Sequence, residues 1–180
     1  RRVRERGGTG AKLMVYLRAD RAEANTVNMQ IIRDCVADFA AEDLLLVVEF
    51  LTYQLDGESE EDYKRAFPDL IVDGTKICLD LGSKVLKLPY PGTADACRRV
   101  TALCAGVPWA VLSAGVDHET FLGQVETAMA CGASGVIAGR ALWKDCIALD
   151  AQVREERLER IASARLRQIE AILDAHTPAP

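Results

Sequence analysis

Short apolar runs and longer stretches of helical spacing alternate five times along this chain, and no other feature limits its fold so much. The runs are residues 12–17 (KLMVYL), 44–51 (LLLVVEFL), 83–90 (SKVLKLPY), 108–113 (PWAVLS) and 134–138 (SGVIA). After them, residues 24–41, 61–81, 94–105, 117–131 and 141–149 read as helices, the first of these with apolar residues at helical spacing. Pro68 marks where the second helix could break, and Thr93 fits as the cap of the third. Each repeat has room for the roughly 30 residues of a strand–helix–strand unit. The pattern predicts an α/β fold, a parallel sheet with helices against it. Two architectures fit: an open doubly wound sheet and a (β/α)8 barrel of TIM type. No GxGxxG or Walker-type loop follows any run, so the usual nucleotide mark of the open sheet is missing. Polar residues close every run but the first, where Lys12 lies near the start, and a barrel gathers its chemistry on that end. The expectation is a partial barrel, about five βα units plus a C-terminal helix.

The 180 residues suit one domain with a sizeable core. A formal net charge of −5, with no dominant basic stripe, argues against a nucleic-acid partner. No apolar run reaches the roughly 18 residues of a membrane span, and no secretory pattern opens the chain. Six cysteines without a CxxC pair read as reduced and half-buried, which fits a cytoplasmic protein. His118 and His176 are expected at the surface. Residues 1–6 read as the tail of a helix closed at Gly7, as if the chain began inside a larger domain. Residues 151–176 carry an apolar stripe of Leu158, Ile161, Leu166, Ile169, Ile172 and Leu173. That stripe fits a helix on the outside of the domain, or a contact in a homo-oligomer.

The run 83–90 concentrates the chemistry. Side chains alternate along a strand, so Val85 and Lys87 share one face and Leu86 and Leu88 the other. A strand apolar on both faces belongs in a buried parallel sheet. Desolvation there pushes a lysine toward the neutral amine, which is a nucleophile for carbonyl carbon. The ordinary alternative is a strand-end lysine reaching for water. The same alternation groups Lys12, Met14 and Tyr16 on one face, and Val47, Glu49 and Leu51 on one face. Two lysines near each other favour the neutral form, and a carboxylate beside them can move protons. Lys87, Glu49 and Lys12 are therefore the candidate catalytic residues.

Ser113-Ala114-Gly115 after the fourth run and Gly139-Arg140 after the fifth suggest an anion site. Small residues let backbone N–H groups approach a phosphate, helix N-termini add positive potential, and an arginine can bind it in a fork. Each motif alone is an ordinary strand-to-helix turn; the pair in this order is more specific.

AKLMVYLRAD, VVEFLTY, KVLKLPYP, VPWAVLSAGVD and GASGVIAGRALWK, in this order and spacing, resemble the class I tagatose-1,6-bisphosphate aldolase family, which includes sulfofructose-phosphate aldolases. The resemblance runs from about residue 10 to about residue 144. It implies a (β/α)8 barrel that uses neither metal nor cofactor and cleaves a ketose phosphate into dihydroxyacetone phosphate and an aldehyde. By position, Lys87 matches the Schiff-base lysine, Glu49 the acid/base carboxylate and Lys12 the auxiliary lysine of the fourth barrel strand. Ser113, Ala114, Gly115, Gly139 and Arg140 match the loops holding the C1 phosphate. The partner implied is a phosphorylated sugar. Residues 1–150 would then be barrel strands four to eight, followed at 151–180 by an amphipathic helix and short tail. The first three units would lie outside this chain, as expected of a fragment. A non-catalytic phosphosugar-binding module, or an inactive remnant, is the alternative the residues leave open.

Overall fold

Each apolar run becomes a strand. A computed structural model describes residues 1–176, so the expected tail beyond His176 lies outside the described residues. The chain begins with a short helix α1 (Arg2–Glu5), closed by Gly7 at a φ of +76°. Gly8 N–H donates to Val3 O and Gly7 N–H to Arg4 O, the paired bonds of a glycine-terminated helix. Then follow β1 (Gly10–Tyr16), α2 (Ala22–Ala41), β2 (Leu45–Leu51), α3 (Glu60–Asp80), β3 (Leu86–Pro89) and α4 (Ala94–Cys104). The series continues with β4 (Trp109–Leu112), α5 (His118–Ala130), β5 (Gly135–Ile137) and α6 (Arg140–Trp143). It ends with α7 (Ala151–Arg157), a π turn (Leu158–Ala162) and α8 (Ser163–His176). Ser59, Thr93 and Asp117 cap α3, α4 and α5, each accepting a backbone N–H three residues on.

All five strands are parallel, in the order β1-β2-β3-β4-β5. That order separates the two architectures. Parallel crossovers are almost always right-handed, so a sheet that never reverses its order puts every helix on the same face. A doubly wound sheet needs a reversal and covers both faces. The burial follows the barrel rule. Val15, Leu17, Val48, Phe50, Leu86, Leu88, Trp109 and Val111 alternate onto one face and are buried. The helix-side core includes Ile32, Ile71, Val100, Phe121 and Val125. Burying each such side chain stabilises by about 1.5–3 kcal/mol. The opposite face carries Lys12, Met14, Tyr16, Glu49, Lys87 and Ile137, and its rim is open, with Met14 43% and Tyr16 48% exposed. β1 and β5 are the sheet edges among the described residues.

Four expectations need correction. Pro68 does not break α3, which continues to Asp80. The proline forfeits one helical hydrogen bond, and its ring lies under the loop at Gly92, where an added Cβ would meet it at 3.3 Å. The expected helix over 141–149 shrinks to the single turn α6, because Lys144 and Asp145 are tied sideways to other elements. His118 is buried, its Nε2 2.8 Å from Gln168 Oε1 on α8. His176 is half-buried, its Nδ1 bonded to Ile172 O and its Nε2 3.5 Å from Glu126. In the last segment Ile169 is buried, but Leu166 stays 45% exposed, so the stripe on residues 151–176 faces the domain only in part.

Gly74 on α3 shows how tightly that layer fits. A Cβ there would stand 2.5 Å from Cε2 of the buried Phe50. Gly74→Ala gains up to about 1 kcal/mol of helix propensity and loses about 1–3 kcal/mol to overpacking. The urea midpoint is expected to fall with the denaturant slope unchanged.

Candidate active site

The parallel register brings three strands' polar side chains to one point. Glu49 pairs in register with Met14 on β1 and Lys87 on β3, and Lys12 lies two residues before Met14 on the same face. Lys12 Nζ is 2.8 Å and Lys87 Nζ 3.0 Å from the same carboxylate oxygen, Glu49 Oε2. The three sit at different depths. Glu49 is buried, Lys87 is 16% exposed and Lys12 is 46% exposed. Burial works to raise the Glu49 carboxyl, yet the hydrogen bonds and charges of Lys12 and Lys87 outweigh it and hold the group below its ordinary value.

Lys87 and Glu49 floor a cleft of about 330 Å³ walled by Leu51, Leu112 and Ile137. Ser113, Ala114, Gly115, Gly139, Arg140 and Trp143 close its other end. Of the residues singled out in the sequence, seven therefore share one cavity, and Lys12 reaches it through Glu49.

The far end has the features of an anion cradle. Ala114 and Gly115 both have positive φ, +48° and +82°, and Val116 N–H donates to Ser113 O at 3.1 Å, closing the turn. Among the described residues the N–H groups of Ala114 and Gly115 have no acceptor, and the Ser113 hydroxyl has no partner. The Arg140 guanidinium lies over Gly115, so an added Cβ at 115 would meet its Cζ at 3.2 Å. It makes no ion pair or hydrogen bond among the described residues. The helix N-termini contribute less than expected. Asp117 already caps α5 with its own carboxylate, and α6 is one turn long.

Arg18 is the opposite kind of arginine, and sequence reasoning passed over it. It is 2% exposed and forks onto Glu58, with both bonds at 2.7 Å, and onto Asp20 at 2.7 and 3.2 Å. It also donates to Tyr53 O at 2.8 Å. Asn25 holds its backbone on both sides, at 2.8 Å each. Arg18 thus knits the end of β1 to the loop after β2, beside the mouth of the site. Trp143 was also missed as a lining residue. Its signal was available: it stands three residues after Arg140, on the same side of a helical turn.

Known proteins resemble this chain in sequence and in fold. Residues 1–145 match the DeoC/LacD family aldolase model. A class 1 fructose-bisphosphate aldolase of Halobacterium salinarum is 35% identical over 79 residues, which is 43% of this chain and 30% of that protein. An archaeal fructose 1,6-bisphosphate aldolase superposes with a TM-score of 0.65 at 21% identity, covering 90% of this chain and 61% of its own. An archaeal fructose-1,6-bisphosphate aldolase with its catalytic Lys covalently bound to the carbinolamine intermediate gives 0.69 at 20% identity, covering 93% and 61%. At such identities these two structures speak for the fold. This chain spans less than two thirds of each relative's length.

The lowered Glu49 carboxyl has a pH consequence. Its contribution to stability is fully present above the ordinary value of 4.5 and is lost as pH falls through the depressed folded value. Urea midpoints measured from pH 7 downward should therefore drop more below pH 4.5 in the unaltered protein than in Glu49→Gln. Equal acid sensitivity would show that the carboxylate is not held by the two lysines.

Proposed function

The chain belongs to the DeoC/LacD family of aldolases, and from that membership we propose that it carries a Schiff-base aldolase site with Lys87 as the amine. One observation supports this most: Lys87 and Glu49 stand 3.0 Å apart at the floor of a cleft whose other end holds Arg140, which has no hydrogen-bond or ion-pair partner among the described residues. An amine and a cationic cradle at opposite ends of one cavity suit a ketose bearing a phosphate at C1.

The reaction follows from that placement. The cradle of Ser113, Ala114, Gly115, Gly139 and Arg140 takes the phosphate, holding the C2 carbonyl against Lys87. Glu49 accepts the proton that frees the amine. The Lys87 nitrogen adds to C2, and loss of the C2 oxygen as water leaves an iminium, with Glu49 supplying the proton. Glu49 then takes the proton of the C4 hydroxyl. The C4 oxygen becomes a carbonyl, the C3–C4 bond breaks, and its electron pair enters the iminium as an enamine. The aldehyde leaves. Protonation at C3 and addition of water release dihydroxyacetone phosphate and return the amine. Lys12, outermost of the three, balances the Glu49 charge and orients substrate oxygens.

For the substrate, the motif resemblance supports a tagatose 1,6-bisphosphate type, the named relatives a fructose bisphosphate type. The two sugars differ at C4 and share the phosphate and carbonyl ends that this chain's cleft addresses. A sulfofructose phosphate shares them too. Cleavage rates on tagatose bisphosphate, fructose bisphosphate and the sulfonated ketose phosphate discriminate among the three.

Borohydride reduction in the presence of dihydroxyacetone phosphate should attach the three-carbon unit to Lys87 in the intact protein and to nothing in Lys87→Ala. Glu49→Gln should lower kcat by about 10²–10⁴-fold. Phosphate binding without a trapped adduct would leave a non-catalytic phosphosugar-binding module as the reading.

A further inference from the structure

The turn that carries Arg140 cannot hold itself. α6 has four residues, and a single helical turn is unfavourable without outside support. Two cations supply that support. Lys144 Nζ donates to Gly115 O at 2.8 Å and Val116 O at 3.2 Å, fastening the turn to the loop after β4. Arg165, on α8, approaches from the other side. Its Nη1 donates to Leu142 O at 3.0 Å and Asp145 Oδ1 at 2.5 Å, and its Nη2 to Asp145 Oδ2 at 2.7 Å. Arg165 is 20% exposed, and the π turn before α8 also packs on α6. α8 is itself fixed to α5 through Gln168 and His118.

We propose that Arg165 is a positioning residue for the anion cradle: from the C-terminal helix it sets α6, and through α6 the place of the Arg140 guanidinium over Gly115. The proposal rests on the aldolase reading above. Its strength is geometric. A planar guanidinium with three acceptors, two of them on one carboxylate, fixes orientation as well as distance. An exposed ion pair contributes little to global stability, so the fork's effect falls on the turn it grips. The Arg165 fork holds the Asp145 carboxyl down to about 2. The C-terminal helix, which the sequence offers only as an outer layer or a subunit contact, thereby becomes part of the site's scaffold.

The test uses inorganic phosphate as a competitive inhibitor of ketose phosphate cleavage by the intact protein. Displacing a binding group by about 1 Å can weaken its effect up to about 10²-fold. Arg165→Ala should raise KM for the ketose phosphate and weaken phosphate inhibition by the same factor, about tenfold. The rate of borohydride trapping with unphosphorylated dihydroxyacetone should stay at the unaltered value, and Arg165→Lys should recover part of the phosphate affinity. Asp145→Asn, which leaves the arginine in place, serves as the second variant should Arg165→Ala fail to fold, and should weaken phosphate in the same way. Unaltered phosphate affinity in a folded variant would overturn the proposal and leave the aldolase reading standing. A parallel loss of dihydroxyacetone trapping would also overturn it, marking Arg165 as a general structural support. An unaltered protein that neither traps an adduct nor is inhibited by phosphate would sink the proposal and the aldolase reading together.

Discussion

A carboxylate taken out of water must be matched by charge or by hydrogen bonds. Glu49 is matched by charge, from two directions at once. That single requirement constrains three strands. β1 must bring Lys12 up from two residues below the Glu49 row, and β3 must set Lys87 level with it. A slip of one residue in either pairing turns a lysine toward the helix side, among Val48, Phe50, Leu86 and Leu88, where nothing could compensate it. The polar knot and the apolar layer behind it therefore enforce the same register.

The sequential strand order does the rest. With the crossover helices on one face, the other face is lined among the described residues by strand side chains, which on β2 and β3 include Glu49 and Lys87. The strand ends then gather the loops of β4 and β5 around the same space. Two arginines of like composition end up with opposite duties. Arg18 has its donors taken by Glu58, Asp20 and Tyr53, and can only hold loops together. Arg140 has no such partners among the described residues and is left able to meet an anion.

What the sequence made legible was local. Alternation alone assigned Lys87 and Glu49 to the polar face, and the small residues at 113–115 and 139 announced turns that a ligand can approach. Runs of apolar residues placed the strands within a few positions. What escaped depends on contacts between residues far apart. Arg18 stands in a charged stretch that looks like a solvated break, and its main partner is 40 residues on. His118 follows a capping aspartate, a place usually wet, and is buried because α8 crosses over it from 50 residues away. The helix expected over 141–149 ended early because Lys144 and Asp145 answer to Gly115 and Arg165 rather than to their own turn. No periodicity records such ties.

Gly115 carries a constraint that reaches beyond its own backbone. Its φ of +82° already disfavours any side chain, and the space a Cβ would take is filled by the Arg140 guanidinium. A side chain at 115 would therefore strain its own backbone and also push the Arg140 guanidinium aside by a few tenths of an ångström, so a substitution at one position is felt at the other.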